Sequence, residues 1–338
     1  MQPFSPVRAL RSPHIQTLWP SLFRRVATPQ RQRERLELPD GDFLDIDWLG
    51  PSDITSAAPV CVLLHGLTGS SNSHYMLALQ VRLAGQGWRV AAINFRGCSG
   101  IPNRLPQVYH AGHTADIQAV LTRMRERHGG SFMAAVGYSL GGSMLANWLG
   151  RVDDGRLLQA ACLVSVPYRL DLCSSRLDQG FSRVYRDHLL NNLACLFERK
   201  IGYFEALGDR AASAALRRLG DPRGHRSFWT FDDRIMAPLH GFTSVDDYYA
   251  RCSTVQILRQ IATATLVVQA EDDPFVPVES LPDSSSAAPA VRFLVSRHGG
   301  HLGFMGHQSR GPLGVYWLEE AIVEWLLEQQ GQTSDRGR

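Results

Sequence analysis

The sequence predicts an α/β protein, a mostly parallel, doubly wound sheet interrupted by a helical insertion. Three observations lead there. Continuous apolar runs alternate with amphipathic helical stretches. The alternation stops for about 90 residues, from Tyr168 to Arg259, and then resumes. The 338-residue chain is 44% hydrophobic, ample for a sheet buried on both faces.

The elements follow in order. The first thirty residues read as irregular and basic, because Pro3, Pro6, Pro13, Pro20 and Pro29 break any long helix. Arg33 to Leu38 and Phe43 to Trp48 alternate in character around Pro39-Asp-Gly41, which describes a β-hairpin. Asp45 and Asp47 on its second strand are expected to face solvent. Val60-Cys-Val-Leu-Leu64 is the first fully buried strand, followed by a helix from about His74 to Ala84. Trp88 to Phe95, Phe132 to Tyr138 and Leu158 to Val166 are further strands. Helices from His113 to Arg127 and Leu140 to Leu149 separate them. After the insertion come Thr265 to Ala270, a short helix, Val291 to Val295 and an amphipathic helix from Val315 to Leu327. This gives an N-terminal segment and hairpin over 1–58, a core over 59–167, a helical cap over 168–260 and the rest of the core over 261–338. Ser284-Ser-Ser-Ala-Ala-Pro289 is a loop.

Composition excludes several function classes. A net charge of +3 without a long Lys/Arg block gives no basis for nucleic-acid binding. The six cysteines include no C-x-x-C pair, so zinc-site and dithiol-redox spacings are absent. No basic segment leading into an apolar one opens the chain, and no stretch of about 18 apolar residues occurs, so the reading is a soluble, cytoplasmic protein. Oligomeric state is left open.

Gly137-Tyr-Ser-Leu-Gly141 fits G-x-S-x-G and lies between a buried strand and a helix, where a nucleophile elbow belongs. Ser139 is the candidate nucleophile. A serine hydroxyl needs a base, and the base needs an orienting acid. In the α/β-hydrolase fold, which this arrangement resembles, the order is Ser, acid, His. Ala270-Glu-Asp-Asp-Pro-Phe-Val-Pro277 and His298-Gly-Gly-His301 each follow a late strand. His301, after two glycines, is favoured over His298 as the base.

With further motifs the chain resembles a narrower group, the YheT-like α/β-hydrolases, bacterial relatives of membrane-anchored eukaryotic lipases. The resemblance rests on Pro13-His-Ile-Gln-Thr-Leu18, His65-Gly-Leu-Thr-Gly69, Asn94-Phe-Arg-Gly-Cys-Ser-Gly100, Pro102-Asn-Arg104, Tyr109-His110, Gly137-Tyr-Ser-Leu-Gly-Gly142, Ala270-Glu-Asp-Asp-Pro-Phe275 and Gly299-Gly-His-Leu-Gly-Phe304. Phe231-Asp-Asp233 and Gly241 to Tyr249 look like its cap signature. Ile101 and His113 depart from it, standing where acidic residues are expected. The resemblance implies hydrolysis of a small-molecule carboxylic ester, lipid-like or with another acyl group, without cofactor or metal. Relatives place the acid before x-x-V-P, which favours Asp273, with Val276 and Pro277, over Asp272, then a turn residue or helix cap. They use the H-G-x-x-G loop for half of an oxyanion hole, implying the amides of Leu67 and Leu140 as donors. His65 then supports that loop, Arg96 belongs to a structural network, and Cys98 has no base to activate it.

The same residues would serve a thioesterase or acyltransferase. A non-catalytic binding protein would usually lose a triad member, and here all three occur in order. Phe181, Tyr185, Leu189, Leu190, Leu193, Leu196 and Phe197, at helical spacing, are read as a lid face packing onto the core. A membrane-contacting cap is the alternative.

Overall fold

The computed structural model describes residues 3–53, 57–306 and 316–336. Eight strands form one sheet: β1 (Gln32–Glu37), β2 (Phe43–Leu49), β3 (Val60–Leu64), β4 (Arg89–Asn94), β5 (Met133–Tyr138), β6 (Ala160–Val164), β7 (Ala264–Ala270) and β8 (Val291–Ser296). Their spatial order is β1-β2-β4-β3-β5-β6-β7-β8. β2 is antiparallel to both neighbours, and every pairing from β4 to β8 is parallel. The order steps outward in both directions from β3, so crossover helices cover both faces.

Strand alternation divides the core. Val60, Val62 and Leu64 of β3 face α3 (Thr114–Arg127) and α4 (Leu140–Arg151), where they meet Ile117, Leu121, Leu145 and Trp148. Cys61 and Leu63 point to the other face, onto Met76, Leu79 and Leu83 of α2 (His74–Ala84) and onto Ile322 and Trp325 of a C-terminal helix over Trp317–Arg336. Both residue sets on β3 are buried, which is why its sequence is apolar throughout rather than alternating. The expected start of the C-terminal helix, Val315, lies outside the described residues.

Between β6 and β7 the chain is helical. It runs through α5 (Leu170–Leu177), α6 (Ser182–Ala206), α7 (Arg210–Arg217), α8 (Phe228–Phe231), a π-helical turn Asp232–Met236, α9 (Ala237–Leu239) and α10 (Val245–Cys252), so the C-terminal helix is α11. These helices bury their own cluster, with Tyr185, Leu190, Leu193, Leu196 and Phe197 of α6 against Phe231, Ile235 and Tyr248. Phe181, expected on the same face, is exposed.

Three expectations are corrected. The N-terminal stretch is not irregular: Pro13–Phe23 forms α1. Pro13 occupies the first turn, where a missing N–H costs nothing. Pro20, inside the helix, removes only the bond to the Gln16 carbonyl. Asp45 and Asp47 do not face solvent. Both are buried, Asp45 beneath Arg35 at 2.9 and 3.1 Å and Asp47 beneath Arg33 at 2.8 Å through both oxygens. Burial works against the Asp47 charge, but Arg33, Ser71 and Asn94 outweigh it and hold the carboxyl down to about 2. The short helix expected after β7 is reduced to single 3₁₀ turns at Val278–Ser280 and Ser284–Ser286.

Arg96 is, as expected, a structural hub. It is buried after β4 and bonds Asp116 at 2.6 and 2.9 Å, Asp42 at 3.2 Å and Asp40 at 2.8 Å. Asp42 in turn accepts from Asn103 and from the Arg104 amide, tying the hairpin turn to the loop after β4. Breaking a buried ion pair from one side leaves uncompensated charge, at about 3–5 kcal/mol. Arg96→Leu is therefore expected to lower unfolding stability by that amount in urea titrations, with Arg96→Lys losing less.

Candidate active site

The structure brings Ser139, His301 and Asp273 together. Ser139 stands between β5 and α4 at φ 50° and ψ −119°, in a region costly for any residue with a Cβ. Its amide donates to the Val164 carbonyl of β6 at 2.8 Å, and its carbonyl accepts from Ser143 in α4 at 3.0 Å. The turn closes because its neighbours are glycines. A Cβ on Gly137 would lie 2.6 Å from the Gly141 carbonyl oxygen, and one on Gly141 would lie 2.6 Å from that of Leu64. Strand and helix could not approach otherwise.

Ser139 Oγ lies 3.1 Å from His301 Nε2, and His301 Nδ1 lies 2.9 and 3.1 Å from the two oxygens of Asp273. Asp273, just past β7, is buried and also accepts from the amides of Phe275 at 2.8 Å and Val276 at 3.3 Å. Asp272 instead accepts from the Gly300 amide at 2.9 Å and lies 3.2 Å from His298 Nδ1. The two adjacent carboxylates thus divide between two histidines. Asp272 is a turn residue, as expected, and in addition braces the loop that carries His301.

The loop after β3 reaches the same point. Gly66 and Leu67 line a cavity together with Ser139, Leu140 and His301. His65 supports this loop, as expected, bonding the Gly66 carbonyl through Nδ1 at 2.7 Å and accepting from the Phe95 amide at Nε2. Burial pushes its imidazole down to about 4, so it stays neutral. Two tyrosines hold the loop from outside: Tyr75 accepts from the Gly66 amide at 3.0 Å, and Tyr109 from that of Thr68 at 2.8 Å. The sequence offers Tyr109 only inside a motif, and Tyr75 has no local signal.

Two further supports escape a linear reading. The His301 amide donates to Thr17 Oγ at 2.9 Å, and Gln16 pairs with the Met305 backbone through both ends of its amide, at 2.6 and 3.0 Å. A Cβ on Gly300 would lie 2.5 Å from the Pro13 carbonyl, so α1 presses directly on this loop. Phe275 stacks on the His301 ring at 4.1 Å between centroids, and Tyr185 stacks on Phe275.

The cavity occupies about 230 Å³, against the 10–15 Å³ that hold one water. Its walls are mainly apolar and come largely from the cap: Leu170, Leu177, Leu189, Leu193, Leu196 and Phe228. Asp232, in the π-helical turn, is the carboxyl on this wall. Burial pushes it up to about 7, against a 2.8 Å bond donated by Tyr249. His110, also on the wall, is pushed down to about 2 by burial, with His240 and His113 beside it. Both groups thus avoid charge in the apolar space. Among the described residues, no three His, Cys, Asp or Glu side chains come together as a metal site. Cys98, close to this wall, is pushed up to about 12 by burial, which keeps it a thiol. The departures from the family pattern sit apart from Ser139: His113 lies 3.5 Å from Asp116 of the Arg96 network, and Ile101 is exposed.

Comparison with known proteins agrees with this fold. The α/β-hydrolase fold family profile matches residues 59–308. The YheT protein of Escherichia coli (strain K12) is 40% identical over 323 residues, which is 96% of this chain and 92% of that protein. Phospholipase ABHD3 of Mus musculus is 27% identical, over 82% of this chain and 67% of its own. The Pyrococcus furiosus esterase Pf2001 shares the fold, with a TM-score of 0.54 over 98% of this chain and 99% of its own at 15% identity. By profile, by identity along nearly the whole chain and by fold, this protein belongs to the α/β-hydrolase family and, within it, to the YheT-like proteins.

Proposed function

We propose that the protein is a serine hydrolase of carboxylic esters that works through an acyl-enzyme on Ser139. The observation that carries this reading is the relay of hydrogen-bond distances, 3.1 Å from Ser139 Oγ to His301 Nε2 and 2.9 Å from His301 Nδ1 to Asp273. His301 takes the hydroxyl proton as Oγ adds to the acyl carbonyl. Asp273 accepts from Nδ1–H, fixing the tautomer and stabilising the imidazolium. The amides of Leu67 and Leu140 donate to the oxyanion, at a site where losing one donor costs about 3 kcal/mol. The imidazolium then protonates the departing alcohol. Water, activated by the same imidazole, releases the acid and restores Ser139.

The cap walls support an apolar ester as substrate. An acyl or alcohol chain packed there removes hydrocarbon from water, at about 0.8 kcal/mol per methylene. Residues 168–260 act in this reading as the lid that shapes the chain's binding space.

Ser139→Ala is expected to lower kcat on p-nitrophenyl esters at least about 10⁴-fold and to abolish labelling by a fluorophosphonate probe. Retained activity, or labelling elsewhere, would refute the assignment. Asp273→Asn is expected to lose about 10⁴-fold through the wrong tautomer, while Asp272→Asn keeps most of the rate, as steady-state kinetics of the pair would read. Across unbranched esters, kcat/KM is expected to rise by up to about fourfold per methylene until the cavity is full.

Asp232 adds a pH signature. Its proton is retained up to about 7 in the folded chain, against 3.8 as its ordinary value. The folded state therefore binds more protons between these values, and stability falls as pH rises through that window. Above it, a carboxylate stands on the acyl wall. KM for an apolar ester is expected to rise between about pH 6 and about pH 8, and Asp232→Asn to flatten both that rise and the stability loss.

A further inference from the structure

The outer face of α1 is the feature that ester hydrolysis leaves unexplained. Ile15, Trp19, Leu22 and Phe23 are 39, 47, 54 and 60% exposed. Their spacing of i, i+4, i+7 and i+8 puts them on one stripe of the helix, with the Trp19 and Phe23 rings 4.7 Å apart. The opposite stripe, Gln16, Thr17 and Pro20, is buried and holds the His301 loop. The apolar stripe is therefore displayed on an anchored element and not on a fraying end. It continues onto the cap, where His14 lies 4.5 Å from the Phe181 ring, and Phe181 and Val184 are themselves 47 and 52% exposed.

The chain segment that carries the stripe bears charge of one sign. The first acidic residue of the chain is Glu34, and six arginines precede it, in a protein whose net charge is only +3. Arg24 is engaged by Glu319, and Arg31 and Arg33 by Asp47. Arg8, Arg11 and Arg25 are exposed and have no acidic partner among the described residues. Exposed aromatic and aliphatic side chains flanked by uncompensated arginines match a helix lying in the plane of an anionic lipid surface. A protein partner would need shape complementarity to be specific, whereas a lipid surface needs only this stripe and this charge. No helix of the described residues is long and apolar enough to cross a membrane, so the contact is interfacial.

We propose that α1, with Phe181 and Val184 of the cap edge, docks this protein onto anionic phospholipid surfaces. The docked face borders the cavity wall through Tyr185, which bonds His14 at 3.0 Å and stacks on Phe275. An ester drawn from the lipid phase would thus enter beside the surface that delivers it. Docking itself does not depend on turnover and is read without it.

The test is flotation of the full-length protein with vesicles of phosphatidylcholine alone and of phosphatidylcholine mixed with phosphatidylglycerol, at low and high salt. Flotation is expected with the mixed vesicles, and its loss is expected on raising salt or removing the anionic lipid. Trp19→Ser combined with Phe23→Ser should abolish it. Arg11→Ser combined with Arg25→Ser should weaken partitioning roughly 25-fold, about fivefold per arginine. Both double variants should keep the thermal melt of the parent and its activity on a water-soluble ester. Three outcomes would overturn the proposal: no flotation with either vesicle, equal flotation with neutral vesicles, or folded variants that float like the parent. Self-association that disappears in the Trp19→Ser, Phe23→Ser variant would assign the face to a second copy and overturn it equally.

Discussion

Close backbone approach at the end of β5 is the constraint on which the site depends. Gly137 and Gly141 let the strand, the α4 terminus and the end of β3 come closer than any Cβ would permit. Ser139 is then held at positive φ by bonds on either side, to Val164 and from Ser143. Because β3 and β5 are neighbours in the sheet, the same packing places the Gly66–Leu67 loop beside Ser139. The strain is local, and the parallel core around it supplies the burial that sustains it.

Beyond Asp272 and Asp273 beside their histidines, the cavity at that point is lined so as to avoid charge. His65 and His110 are neutral through burial, Asp232 holds its proton up to about 7, and Cys98 stays a thiol. Arginine–carboxylate pairs sit away from it, in the Arg96 hub and in the Arg33–Asp47 and Arg35–Asp45 pairs of the hairpin. The hairpin pairs fasten β1 to β2, and the Arg96 hub ties the hairpin turn to α3, while the cavity remains a place where hydrocarbon is favoured over ions.

The N-terminal helix joins both themes. Its inner face fixes the loop carrying His301 through Thr17 and Gln16, and its outer face presents apolar and basic side chains to the surroundings. One short element thus supports the imidazole and forms the surface next to the cavity. Local propensity gives little warning of it, since two prolines stand among its eleven residues.

Much was legible in the sequence because it is written locally. Buried strands between flanking helices need continuous apolar runs, which makes β3 to β7 legible, while β8 is a half-exposed edge strand legible from its shorter apolar run. A nucleophile elbow needs glycines two residues either side of its serine, which singles out Ser139. The order of motifs along the chain brought Asp273 and His301 forward. What the tertiary structure decided concerns residues whose surroundings come from distant segments. Asp45 and Asp47 are buried beneath Arg35 and Arg33 of β1, with Asn94 of β4 also bonding Asp47, partners absent from an alternating strand pattern. Asp272 braces Gly300, Tyr75 and Tyr109 hold the loop after β3, and Asp232 faces the cavity, each through partners at least seventeen residues away except for Tyr75, which lies nine from Gly66. Periodicity reports which face of an element is apolar, but only the packed chain determines what that face meets.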